Sequence, residues 1–105
     1  MMTVTRMQWI RSVDSLYNFI AYVVGYAPDR FPVEDYLPPD GQMTLERAFE
    51  ELRMGMQFID PEVANDQKRS HLKQLLDDAY AAYRRGDERT GARLLQDFEG
   101  LIFKS

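Results

Sequence analysis

The stretch HLKQLLDDAYAAYRRGDERTGARLLQDFEGLIF, residues His71 to Phe103, decides the fold class. Leu72, Leu75, Leu76, Ala79, Ala82 and Tyr83 follow at steps of three, one, three, three and one. That spacing keeps them on one face of a 3.6-residue helix. Arg84 and Arg85 place positive charge in its last turn, where it suits the macrodipole, and Gly86 takes the left-handed conformation that commonly ends a helix. Asp87 then offers an N-cap oxygen and Glu88 puts negative charge in the first turn of the next helix. Leu94, Leu95, Phe98, Leu101 and Ile102 stripe that second helix, and Gly91 with Ala92 narrows it near its start. A joint this short packs two antiparallel helices side by side.

Working outward, the sequence predicts four principal helices, at about 6–24, 45–59, 67–85 and 88–102, in a single domain spanning 1–105. For the first, Thr5 with Gln8 fits a capping box. Trp9, Ile10, Val13, Leu16, Tyr17, Ile20, Val23 and Val24 continue the apolar period, and the wide stripe implies a central helix or a face lying on another chain. Thr44 caps the second helix, whose inward stripe is Leu45, Ala48, Phe49, Leu52, Met56 and Ile59. Met54 and Phe58 fall off that stripe and form a candidate surface patch, or pack on the loop or the first helix. Asp60-Pro61 stops this helix and opens a short turn, and Asn65 or Asp66 caps the third helix. The expected fold is an all-α, compact antiparallel bundle of about four helices, with a long Pro-rich acidic loop, 25–44, between helices 1 and 2.

The chain has 105 residues and 45% apolar content, which suits one folded core and excludes disorder. A net charge of -4 argues against a nucleic-acid surface and leaves a basic protein partner open. With no cysteine, disulfides, thiolate metal sites and a cysteine nucleophile are excluded. No apolar run is long enough to cross a bilayer, and the N-terminus lacks signal-peptide order, so the expected location is the cytoplasm.

Enzymatic signatures are missing. His71 is the only histidine, and its neighbour Ser70 points elsewhere on a helix. There is no Glu-x-x-His pair, EF-hand loop, HExxH run, P-loop or dinucleotide fingerprint, so no catalytic residue, metal or other cofactor is expected. The loop is more informative. Residues 26–43 carry Asp29, Glu34, Asp35 and Asp40 against Arg30 alone. Tyr26, Phe31 and Tyr36 sit among these acids, the composition of a surface that engages a basic partner; equally, the rings can pin the loop to the bundle. The candidate partner-binding residues are therefore Tyr26, Asp29, Phe31, Glu34, Asp35, Tyr36 and Asp40.

Two resemblances bear on this. From Leu76 to Ala92, Tyr83 and Ala92 with Gly86-Asp87 between them resemble one tetratricopeptide unit, but Tyr80 stands where that family wants a small residue, and a single unit is no array. The whole chain resembles the small, acidic, all-helical immunity proteins that bacteria keep beside contact-delivered or secretion-system toxins. The residues behind this are the acidic stretch Asp29 to Asp40, the helical stripes and the LLDDAYAAY helix. That resemblance implies stoichiometric binding that covers or distorts a toxin's active site, with no catalysis. Two alternatives stand beside it: a homodimer of structural or regulatory role using the first-helix face, and a ligand-binding or enzymatic bundle with an apolar pocket.

Overall fold

A computed structural model of the chain describes residues 9–33, 35, 41–60 and 65–103. Among them are four helices: α1 (Val13–Tyr26), α2 (Leu45–Gly55), α3 (Asp66–Arg84) and α4 (Glu88–Phe103), with a 3-10 turn at Met56–Phe58. No strand occurs among the described residues, and the all-α bundle is the observed architecture. α3 packs most extensively on α4, and α1 with α2 closes the set, each helix resting on two neighbours. Leu16, Val23, Ala48, Phe49, Leu52, Leu72, Leu76, Ala79, Leu95 and Phe98 are wholly buried at the centre.

The α3–α4 joint is built as its residues imply. Asp87 N–H donates to the Ala82 carbonyl (2.8 Å) and Gly86 N–H to the Tyr83 carbonyl (3.1 Å), the paired bonds of a Schellman turn. Gly86 sits at φ +87°, which a side chain would strain. The Asp87 carboxylate accepts from Thr90 N–H at 3.2 Å and so caps α4. Hydrogen bonds from Thr90 hold that carboxyl below the ordinary aspartate range, and Arg85 adds to the effect. Asn65 caps α3 by accepting from Lys68 N–H at 2.9 Å.

Two boundaries differ from expectation. α1 opens at Val13, with Ser12 as its N-cap in a reciprocal capping box with Ser15. Trp9 and Ile10 therefore lie outside the helix, and Thr5 and Gln8 lie outside the described residues. α2 ends at Gly55, and the chain tightens into the 3-10 turn before Ile59 turns extended. Arg69 of α3 reaches back to the Met56 carbonyl (3.1 Å) and the Ile59 carbonyl (2.6 Å), satisfying acceptors that a helix end leaves open. The turn expected at Pro61 falls outside the described residues.

Between α2 and α3, Arg53 pairs with Asp77 at 3.2 Å and lies 5.7 Å from the Tyr80 ring. Between α3 and α4 the approach is closer still. A Cβ on Gly91 would stand 2.7 Å from the Tyr83 ring, so hydrogen is the side chain that fits. Tyr83 is itself buried, and among the described residues its hydroxyl has no hydrogen-bond partner. Burial pushes its phenol up to about 12, and the nearby charge of Glu88 acts in the same direction.

The sign follows from linkage. In the unfolded chain the phenol ionises near 10.0, so the stability it confers is whole below that pH and is lost as pH rises towards about 12. Tyr83→Phe should gain about 1 kcal/mol at neutral pH by removing the unpaired hydroxyl. It should also flatten the alkaline loss, as read by urea unfolding across a pH series. A variant less stable than the parent at pH 7 would show that the hydroxyl is paired.

Candidate interaction surface

Glu51 of α2 is the buried charged side chain among the described residues, at 2% exposure. Its Oε1 accepts from Trp9 N–H at 2.9 Å and Ile10 N–H at 3.4 Å. A single carboxylate thus holds the segment preceding α1 against α2. Ile10 is buried there, seated over Gly55, where an added Cβ would come within 2.9 Å of its Cδ1.

From this seat a run of rings leads to the loop. Trp9 stacks on Tyr22 of α1 with centroids 5.7 Å apart and planes 26° apart. Phe19 lies against both. Tyr22 in turn meets Phe31 at 5.6 Å and Tyr26 edge-on at 5.3 Å. Phe31 is half-buried and packs on the core, so in the described structure it fastens the loop. Arg30 adds a second tether, pairing with Glu88 at the start of α4. The Arg30 amide also donates to the Tyr26 carbonyl at 2.8 Å, and the Ala27–Pro28 peptide is cis.

Of the seven residues proposed from sequence, four are described. Tyr26, Asp29 and Asp35 are exposed, with Tyr26 at 40%, whereas Phe31 serves as an anchor from beneath. Glu34, Tyr36 and Asp40 lie outside the described residues. Because Arg30 is engaged by Glu88, the positive charge of this stretch is occupied and Asp29 and Asp35 face outward uncompensated by it.

The interleaving of Phe31, Val33, Tyr36 and Leu37 among the loop's prolines predicts that the loop packs down at these residues, but Val33 does not: at 80% it is the most exposed large apolar side chain of the described residues. The available signal was its position in FPVED, a lone β-branched residue between a proline and two acids. Met54 and Phe58 part ways: Met54 is exposed and Phe58 packs against the core.

His71 is exposed and borders a shallow groove of about 370 Å³ between α3 and α4, with Leu75, Gln96, Asp97, Gly100 and Leu101. Among the described residues, no group of three or more His, Cys, Asp or Glu is placed to hold a metal ion. No described helix is long and apolar enough to cross a membrane.

No protein-family model, curated protein or solved structure matches the chain.

The two tethers differ in strength. Phe31→Ala should cost about 1–2 kcal/mol, the worth of a partly buried ring and its aromatic contacts. Arg30→Ala should cost well under about 1 kcal/mol, because the pair with Glu88 is largely solvated. Thermal unfolding of both variants tests the order, and equal losses would mean that the ring does not anchor the loop.

Proposed function

We propose that this chain is a non-enzymatic protein-binding module, an immunity-type inhibitor that neutralises a bacterial toxin by docking on a basic face. The observation that supports it is the loop itself: Val33, 80% exposed, beside outward-facing Asp29 and Asp35, on a segment held from below by Phe31 and Arg30. Val33 offers a partner an apolar contact beside the carboxylates, whose burial on binding would be favourable. The surrounding carboxylates speed encounter with a positive surface and fix its register. A tethered loop loses less conformational freedom on binding than a loose one.

In this reading Val33 and Tyr26 enter the centre of the contact, and Asp29 and Asp35 meet Lys or Arg at its rim. Glu34, Tyr36 and Asp40 continue the same acidic, aromatic stretch in the sequence. The protein acts in stoichiometric amount and transforms nothing. The bacterial cytosol is the compartment such an inhibitor occupies.

Capture from the source organism at low salt tests this. The parent chain should retain a basic protein in about equimolar amount, and the product of a neighbouring gene with a toxin-like C-terminal domain is the expected one. Asp29→Lys with Asp35→Lys should slow association at least about tenfold and weaken its salt dependence. Val33→Asp should chiefly raise the dissociation rate. Equal association rates for parent and charge-reversed chains would remove this loop from the interface.

A further inference from the structure

The segment ahead of α1 sits on groups that the helices present without it. Glu51 and Gly55 stand one turn apart on α2, and Phe19 and Tyr22 stand three residues apart on α1, so each pair shares a face. The Glu51 carboxylate takes the N–H groups of Trp9 and Ile10. Gly55 leaves a notch for Ile10, whose Cδ1 and Cγ2 come within 2.9 and 3.0 Å of where a Cβ would stand. Tyr22 and Phe19 receive the Trp9 ring at 5.7 and 6.1 Å.

α1 closes its own end independently of this contact. Ser15 N–H donates to Ser12 Oγ at 3.2 Å, and the N–H groups of Arg11 and Ser12 donate to Ser15 Oγ at 2.8 and 2.9 Å. The cap is thus complete without Trp9 and Ile10, and the exposed Arg11 is the joint between the two parts.

We infer that this seat is a peptide-binding site that Trp9 and Ile10 occupy in cis, and that it accepts a peptide segment of the same chemistry supplied in trans. That ligand has an aromatic residue followed by a β-branched aliphatic one, with both backbone N–H groups available to donate. The resident segment defines it. A buried carboxylate is costly without donors, so the seat exchanges one pair of N–H groups for another rather than standing empty. Backbone recognition is indifferent to side chain, and selectivity comes from the two places beside it. The notch over Gly55 buries its occupant to 1% exposure, which rejects a charged residue there. The Tyr22 face suits a flat ring. A segment joined through one residue competes at an effective concentration on the order of millimolar, so a free peptide enters only for the fraction of time that the resident is off.

Anisotropy of the acetylated peptide WIRS, the sequence of Trp9 to Ser12, labelled at its C-terminus, tests this on full chains. Trp9→Ala with Ile10→Ala clears the side-chain places. The peptide should bind the cleared chain with a dissociation constant of about 10 μM to 1 mM, and the parent at least about tenfold more weakly. Adding Gly55→Ala, which fills the notch while favouring the helix, should weaken binding to the cleared chain at least about tenfold. No binding to the cleared chain, equal binding to cleared and parent chains, or no effect of Gly55→Ala would overturn the proposal. Circular dichroism checks that the variants are folded. If the cleared chain is not, hydrogen exchange in the parent decides: the Trp9 and Ile10 amides should exchange at least about tenfold faster than the Leu52 amide of α2. Equal rates would mean that the seat opens only with the whole bundle, which also overturns it.

Discussion

A carboxylate taken out of water is stable only where hydrogen bonds replace its hydration, and Glu51 meets that condition by gripping the backbone of a segment 42 residues away. The N–H groups of Trp9 and Ile10 would otherwise be polar groups at the edge of the core without a helix to serve them. Because the grip is on the backbone, it sets where the Trp9 ring falls. The ring falls on Tyr22, Tyr22 backs Phe31, and Phe31 holds the acidic loop. A buried carboxylate in α2 is thereby connected to the loop through contiguous packed rings.

This arrangement gives the loop surface a definite seat on the bundle. The α3–α4 hairpin, closed by Gly86 and capped by Asp87, supplies a rigid platform. Its α4 end also contributes Glu88, which engages Arg30 and adds negative potential near the buried Tyr83 phenol. The loop is fastened to that platform electrostatically and to α1 through the rings. What remains outward is acidic and, at Val33, apolar.

The hairpin was legible because its signals are local. Gly86, Asp87 and the 3.6-residue stripes report on neighbours a few positions away, and α3 and α4 lie within a residue of their expected bounds. The start of α1 was not. Trp9 with Ile10 extends the helical period in sequence, yet the described helix opens after them, with Ser12 and Ser15 making its capping box. The hydrogen bonds that Trp9 and Ile10 make instead of helical ones go to a side chain of α2, and no local rule contains them. Glu51 did leave a trace: it lies three positions after Ala48 and four before Gly55, both buried, so helical geometry places it on the inner face. Tyr26, Asp29 and Asp35 are exposed, but periodicity says nothing of a segment without a period, and Phe31 proved an anchor while Val33 projects.

The central claim is that the buried carboxylate organises the loop through the rings, and amide hydrogen exchange in a Glu51→Ala chain tests it most directly. The Arg30 amide, bonded to the Tyr26 carbonyl, reports the loop, and the Leu95 amide within α4 reports the platform. The account predicts exchange at Arg30 at least about tenfold faster in the variant, with a much smaller change at Leu95. Exchange at Arg30 that is unchanged, or that rises only in step with Leu95, would contradict it.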